Sequence, residues 1–257
     1  MDTYAALCAK IGAALSEACE APDSELTVGV LVSHLVDTSI SVQDIQSKLD
    51  NFLRDVPERA MTASLLDWFG RKGFADNSVA TVTSSHSSLA FLLDTRCGLP
   101  IAHALLLIAA ARRAGLTSFG LNFPGHFLVS IGEEIIDPLS YSVVEPAKLD
   151  NKFDFSVPAS AQMIGLRMLN NLKALVLRDG QVAQALDIVD VQMAIAENAE
   201  GKSSLFYERG EFWLQLGAAA AAKEAFTQCA ETCPYPELAE RARTRAAGID
   251  PTKQTFH

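Results

Sequence analysis

The stretch GLPIAHALLLIAAARRA, residues 98–114, decides the fold, because it is the clearest helix in the chain. Pro100 suits a first helical turn, Ala and Leu have high helix propensity, and Gly115 supplies a stop. The two arginines near its end favour the negative end of the helix dipole. Its surface is apolar nearly all round, which is typical of a helix enclosed on every side. We therefore predict that this helix lies at the centre of a core.

The sequence pattern changes after this helix. Short runs with β-branched or aromatic residues at 118–122, 126–131 and 134–137 are separated by Pro124-Gly125 and by Gly132-Glu133. Such runs predict a small antiparallel sheet. In this prediction His126 lies on one strand and Asp137 on the next, and 141–144 is compatible with a further strand.

The chain before residue 98 reads as mainly helical. Candidate helices cover 3–20, 25–37 and 42–54, and Ser41 with Asp44 resembles a capping box at the start of the third. The polar stretch 70–88 reads as a long surface loop. The stretch 139–160 reads as an irregular linker.

The amino-acid composition and net charge limit the classes of function that the chain can have. The 257 residues are 49% hydrophobic and 20% charged, which indicates a globular chain, and the net charge of −10 disfavours nucleic acid and membrane surfaces as partners. The five cysteines are odd in number and scattered, and no secretory signal is seen at the N-terminus. We therefore expect a cytoplasmic protein without a disulfide framework and without a membrane span.

The region after residue 161 is helical again and contains a weak internal repeat, in which Gly180 aligns with Gly217. The second copy fits the pattern of a tetratricopeptide unit, where small residues let two helices approach and large ones fill the seam. The residues that fit the pattern are Gly210, Trp213, Gly217, Ala222, Phe226, Cys229 and Pro234. We predict helical hairpins here. Cys229 and Cys233 are interpreted as small buried hydrophobic residues rather than metal ligands.

Three stretches carry the candidate chemistry: 96–107 at the start of the central helix, 122–131 with His126, and 135–141 with Asp137. A helix N-terminus followed by a His and then an Asp is an arrangement used by thiol nucleophiles. The helix dipole lowers the pKa of the cysteine, the His takes its proton, and the Asp orients the His.

The sequence resembles the transglutaminase-like superfamily, and within it the bacterial invasion-regulator (Sir-B type) branch. The stretches that carry the resemblance are SSLAFLLDTRCGLPIAHALLLIAAARRAGL (87–116), LNFPGHFLV (121–129), IIDPLS (135–140) and RMLNNLKALVLRDGQVAQAL (167–186). The resemblance implies a transglutaminase-like, papain-like core followed by tetratricopeptide-like helices. It also implies that His126 matches the catalytic-type His and Asp137 the orienting Asp.

The same resemblance exposes a mismatch at the nucleophile. In active members of the superfamily a Cys stands two residues after a Gly, and counting from Gly98 places that position at Pro100. The invasion-regulator branch commonly has a Ser two residues further on, which is Ala102 here. Neither side chain is a nucleophile. Without one, we interpret His126 and Asp137 as a structural hydrogen-bonded pair in preference to a base and its orienter, and Asp137 before Pro138 is also typical of a strand-ending turn.

Other side chains could contribute to a cleft. Cys97, one residue before Gly98, is the remaining candidate nucleophile, with an inert and partly buried thiol as the alternative. His103 is interpreted as a hydrogen-bonded core or cleft residue, and Asn122 and Tyr141 as second-rank rim candidates together with Arg96. A metal site of His103, His126 and Asp137 is a weaker alternative, because no pair has zinc-type spacing.

We predict an α+β, mainly helical protein, divided into residues 1–160, which hold a helical N-terminal part and the core, and residues 161–257, which form a helical tail packed on it. The first functional hypothesis is a non-catalytic regulator or adaptor that binds a partner protein and needs no cofactor. The alternative is a cysteine-dependent peptidase, amidase or transamidase with Cys97, His126 and Asp137. A sensor for a small molecule or metal is the third.

Overall fold

The computed structural model describes residues 4–75, 81–145, 147, 149 and 153–250. The described residues form a mainly helical α+β structure with one small antiparallel sheet, which confirms the predicted fold class. The helices are α1 (Tyr4–Glu20), α2 (Glu25–Val36), α3 (Val42–Arg54), α4 (Thr62–Arg71), α5 (Leu89–Thr95), α6 (Pro100–Arg113), α7 (Ala161–Arg178), α8 (Val182–Ile195), α9 (Ala199–Gln215), α10 (Ala219–Thr232) and α11 (Pro236–Ala247). The strands are β1 (Ser118–Leu121), β2 (Leu128–Ile131), β3 (Glu134–Asp137) and β4 (Ser142–Val144).

Helix α6 is the central element that the sequence predicts. It begins at Pro100, whose missing N–H costs nothing in a first turn, and it ends before Gly115, whose φ of 84° closes the helix. Helices α2, α3 and α5 pack against it, as do strands β1 and β2. Because every side of α6 meets another element, even the polar residue His103 is fully buried.

The sheet is an antiparallel meander in the order β1-β2-β3-β4. Gly120 pairs with Val129, and Val129 pairs with Ile136 on the other side. The absence of a side chain at Gly120 is required, because a Cβ there would stand 2.6 Å from the ring of Phe127. The edge of β1 is covered by a hydrogen bond from the Ala159 amide to the Gly120 carbonyl, 2.8 Å long.

The helices before the sheet follow their local sequence signals closely. Ser41 caps α3 by accepting a hydrogen bond from the Asp44 amide at 3.1 Å, which confirms the predicted start of that helix. In α2, Ser33 accepts a hydrogen bond from the Leu89 amide at 2.8 Å and so joins α2 to the beginning of α5. These contacts fix the wall that faces α6.

The predicted surface loop at 70–88 is wrong in part. Helix α4 extends to Arg71, Phe74 is fully buried, and Ser84–Ser87 forms a short 3-10 helix in which His86 and Ser87 are buried. Phe74 is drawn inward because its ring packs against Phe52 and Phe69 at centroid distances of 5.5 and 5.4 Å. Residues 76–80 lie outside the described part.

The described residues divide into two compact units. One comprises residues 17–168 and contains α6 and the sheet. The other comprises residues 4–16 and 169–250. The predicted domain division at residue 160 stays a prediction, and the compact units differ from it because the beginning of α1 groups with the C-terminal helices.

The second unit is built from consecutive helices joined by short turns. Gly180 and Gly217, the pair aligned in the sequence repeat, have φ values of 76° and 77° in the turns after α7 and α9. Helix α10 packs against both α9 and α11, and Phe226 fills the seam beside Gly210. Within the described residues no single helix combines the length and apolarity needed to cross a bilayer. Only α5 and α6 taken together have that length and apolarity, and the two helices are bent by 83° relative to each other.

Candidate functional site

The first turn of α6 holds the two positions where the resemblance implies a nucleophile. Pro100 is its first residue, and Ala102 is fully buried in the same turn. The Ala102 amide donates to the Leu99 carbonyl at 2.9 Å, as does the His103 amide at 3.2 Å. The helix N-terminus is therefore present, but the side chains at both positions lack a nucleophilic atom.

Cys97 lies in the connection between α5 and α6 and is half-buried. Its backbone amide donates to the Thr95 hydroxyl at 3.2 Å. Two residues further on, the Leu99 amide donates to the His86 carbonyl at 2.8 Å and holds the connection in place. Its thiol makes no hydrogen bond to the rest of the described chain. Among the described residues, therefore, no base is hydrogen-bonded to this thiol near the start of α6.

His126 lies outside the strand in which the sequence placed it, so that part of the prediction is wrong. The segment Phe123-Pro124-Gly125-His126 is a β-turn, closed by a hydrogen bond from the His126 amide to the Phe123 carbonyl at 3.2 Å. Gly125 has a φ of 78°, as a turn with Pro at its second position and Gly at its third requires. Phe123 and Phe127 are buried on either side, so the His126 side chain is turned out to solvent.

Asp137 ends β3 and uses its carboxylate in the turn that follows. Its Oδ1 accepts hydrogen bonds from the amides of Leu139 at 2.8 Å and Ser140 at 3.4 Å. This is the strand-ending turn that the Asp-Pro sequence indicated. The carboxylate therefore stabilises local backbone.

The predicted pairing of His126 with Asp137 is not formed. Strands β2 and β3 are antiparallel, with Val129 opposite Ile136. His126, just before β2, and Asp137, at the end of β3, therefore lie at the same end of the sheet. No hydrogen bond joins their side chains among the described residues. The alternative metal site of these two residues with His103 is also not assembled, since the described part of the chain contains no group of three or more His, Cys, Asp or Glu side chains placed to hold a metal ion.

The structure instead joins His103 to Tyr141. The His103 Nδ1 and the Tyr141 hydroxyl are 2.8 Å apart, and both side chains are buried. Burial lowers the pKa of His103 from 6.5 to about 4 and raises the pKa of Tyr141, because both charged forms would lose their hydration. The imidazole and the phenol are therefore both neutral at neutral pH.

The tautomer of His103 follows from counting hydrogen bonds. The His103 Nε2 is buried and has no partner. If Tyr141 donates its O–H to Nδ1, only one donor, the Nε2–H, is left unpaired. The opposite arrangement leaves both the Tyr141 proton and the Nε2 lone pair unpaired, so we assign the first.

The remaining cleft candidates have structural partners. Asn122 accepts a hydrogen bond from Arg167 Nη1 at 2.6 Å, and the same Arg167 atom donates to the Phe123 carbonyl at 3.1 Å. Tyr141 belongs to the interior and not to a rim, because its ring stacks on Phe69 at a centroid distance of 4.8 Å. The sequence did not predict the hydrogen bond between His103 and Tyr141, because no local pattern connects residues that are 38 positions apart.

Comparison with known proteins identifies the family of the chain. The family model of the transglutaminase-like superfamily matches residues 37–170, which is more than half of the chain, and the chain therefore belongs to that superfamily.

The chain is similar, at low sequence identity, to curated proteins of two bacteria. A UPF0162 protein of Xylella fastidiosa strain 9a5c is 25% identical over 198 residues, which cover 68% of each chain. A UPF0162 protein of Pseudomonas aeruginosa is 24% identical over 219 residues, which cover 83% of this chain and 76% of that relative. No solved structure matches the chain.

Proposed function

We propose that the chain is a non-catalytic regulatory or adaptor protein that binds a partner protein with a degenerate transglutaminase-like core and its C-terminal helices. The observation that carries the proposal is the state of the catalytic-type positions. Pro100 and Ala102 offer no nucleophile, the exposed His126 side chain makes no hydrogen bond to another described residue, and Asp137 is engaged in a turn. Membership of the invasion-regulator branch and a location in a bacterial cytoplasm belong to the same proposal.

The C-terminal helices support the binding part of the proposal. Their antiparallel packing with small residues at the seam suits tetratricopeptide-like hairpins, which present concave surfaces to partner proteins. Helices α9 and α11 border an open cleft of about 640 Å³. Arg241 lies over the ring of Tyr207 in this cleft at 5.2 Å, so an aromatic surface and a cation are available to a partner.

The second candidate function is a cysteine-dependent peptidase, amidase or transamidase. It is favoured by one observation, the half-buried Cys97 thiol three residues before the start of α6. In that case the thiol must be activated, and alkylation of Cys97 must depend on His126.

Affinity capture from a bacterial lysate with the full chain tests the proposal. We expect Cys97→Ala to capture the same protein in the same amount as the wild type, because binding does not use the thiol. Arg241→Glu should reduce capture at least fivefold, because it reverses the charge beside Tyr207. Arg243→Glu, on the same helix but outside the cleft lining, is the matched control and should capture normally.

Two results would contradict the proposal. The first is a partner that is recovered covalently attached to Cys97, or cleaved by the wild type and intact with Cys97→Ala. The second is selective alkylation of Cys97 that His126→Ala abolishes. Either result would establish the thiol enzyme.

A further inference from the structure

A second cleft lies on the unit of residues 17–168 and is unusual in an acidic chain, because its charged lining is mainly basic. It has a volume of about 310 Å³, at the small end of the range for ligand sites. Its lining residues come from α3, from the end of α4 and from the end of α5. They are Lys48, Asn51, Phe52, Asp55, Lys72, Leu93, Asp94 and Arg96.

Two of the three cations in this cleft are already paired. Lys48 Nζ lies 2.5 and 2.6 Å from the two carboxylate oxygens of Asp94, and Lys72 Nζ lies 3.1 Å from Asp55 Oδ2. Both pairs are substantially exposed. The lysines and the aspartates therefore neutralise one another at the rim of the cleft.

Arg96 is the third cation, and within the described residues it has no carboxylate partner. Its Nε donates to the Lys72 carbonyl at 3.2 Å, its guanidinium lies over the ring of Phe74 at 4.7 Å, and its Nη1 is buried without a hydrogen bond. Because Nη1 has no accessible surface, the guanidinium nitrogen that a ligand in the cleft can reach is Nη2, which donates no hydrogen bond to a described residue. A carboxylate oxygen at Nη2 would give the charged group a partner.

The backbone of Arg96 adds an independent indication. Its φ of 67° lies in the left-handed region, where Gly or Asn is more comfortable than a residue with a long side chain. A strained residue of this kind, held at the wall of a cleft, suggests that the side chain is needed there.

We infer that this cleft binds a small organic monocarboxylate, whose carboxylate pairs with Arg96 and whose apolar part lies against Phe52 and Leu93. Three cations and two carboxylates leave the lining with one net positive charge, which matches one carboxylate. A phosphate dianion carries one negative charge more than this lining can balance. The inference does not rest on the proposed partner binding, because it is argued from the residues of this cleft alone.

Titration of the full chain with butyrate, followed by backbone amide chemical shifts, tests the inference. We expect saturable shifts confined to residues around the cleft, no saturable shifts there with the neutral isostere butyramide, and weaker binding of methyl phosphate than of butyrate. Arg96→Asn should weaken butyrate binding at least tenfold. Asn tolerates the left-handed backbone, so this variant is expected to fold.

Arg59→Asn is the matched control, since Arg59 is an exposed arginine with a φ of 55° that does not line the cleft. Its butyrate affinity should stay within twofold of the wild type. The inference is overturned if butyramide shifts the same amides with the same affinity, if methyl phosphate binds more tightly than butyrate, or if Arg59→Asn weakens binding as much as Arg96→Asn. The comparison of butyrate with butyramide needs only the wild type and therefore holds whatever the stability of a variant.

Discussion

His103 couples the core of the central helix to pH. In the folded chain its imidazole is buried against Tyr141, and its pKa is lowered to about 4, whereas the ordinary pKa of 6.5 applies in the unfolded chain. Between these two values the unfolded state binds a proton that the folded state does not bind. Stability must therefore fall as the pH falls through this window, and above it the group contributes no pH dependence.

We expect the free energy of unfolding of the wild type to fall by about 3 kcal/mol more between pH 7 and pH 4 than that of His103→Gln, on the scale of about 1.4 kcal/mol per pKa unit. Gln does not titrate, and its amide oxygen can still accept the Tyr141 hydroxyl proton. Urea denaturation at several pH values measures the difference. Parallel pH profiles for the two proteins would show that His103 is not the group responsible.

The chemistry of individual residues was only partly predictable. The missing nucleophile at Pro100 and Ala102 can be read from the sequence, because identity alone decides it. The role of Asp137 as a turn residue was among the alternatives, because Asp before Pro is a local signal. The pairing of His103 with Tyr141 and the meeting of Lys48, Lys72 and Arg96 depend on tertiary structure, and no local pattern indicates them.

At the scale of elements, the contact between α9 and α10 depends on a missing side chain. A Cβ on Gly210 would stand 2.8 Å from the ring of Phe226, which is fully buried. The ring of Phe226 cannot move away from an added carbon cheaply, because Arg245 of α11 lies over it at 5.5 Å and Tyr207 of α9 packs beside it at a centroid distance of 5.2 Å. The seam therefore accepts only glycine at this position without rearrangement.

Gly210→Ala should lower the free energy of unfolding by about 1–3 kcal/mol, the usual cost of forcing an extra carbon into a packed seam. The matched control is Gly70→Ala in α4, where an added Cβ meets nothing within 4 Å. That variant should be more stable by about 0.5–1 kcal/mol, because Ala is the better helix former. Thermal unfolding of both variants provides the measurement, and a stabilised Gly210→Ala would refute the close approach of the two helices.

Element boundaries were predicted well where local signals are strong. Helix α3 and strand β3 begin and end where the sequence placed them, because Ser41 provides a cap and Gly132-Glu133 and Pro138 bound the strand. The errors come from aromatic residues that tertiary contacts bury. Phe127 packs on Gly120 and leaves His126 in a turn, and Phe74 joins an aromatic cluster and draws a polar stretch inward.

At the scale of the whole molecule, the net charge of −10 dominates long-range electrostatics. Many cations of the described residues are paired with carboxylates, such as Arg112 with Glu25 and Arg245 with Glu211. The cleft around Arg96 carries only one net positive charge, which is too little to hold a polyanion.

We therefore expect no binding of duplex DNA at about 0.15 M salt, because the field of the protein repels the phosphate backbone over a Debye length of about 8 Å. A gel-shift titration with the full chain at micromolar concentrations is sufficient. A retarded complex that weakens as salt is added would show a basic surface that the sequence does not reveal.

Tyr141 carries a consequence for how the sequence can drift. Its backbone φ of 50° favours glycine, whereas its ring fills the space beside Phe69 and its hydroxyl satisfies His103. Tyr141→Gly would remove the backbone strain, but it would open a cavity and leave the buried His103 imidazole without its hydrogen-bond partner. His103→Leu would in turn leave the buried Tyr141 hydroxyl without a partner. The two positions are thus epistatic: replacing both side chains together leaves no buried polar group unpaired, so the combined loss of stability is smaller than the sum of the two single losses.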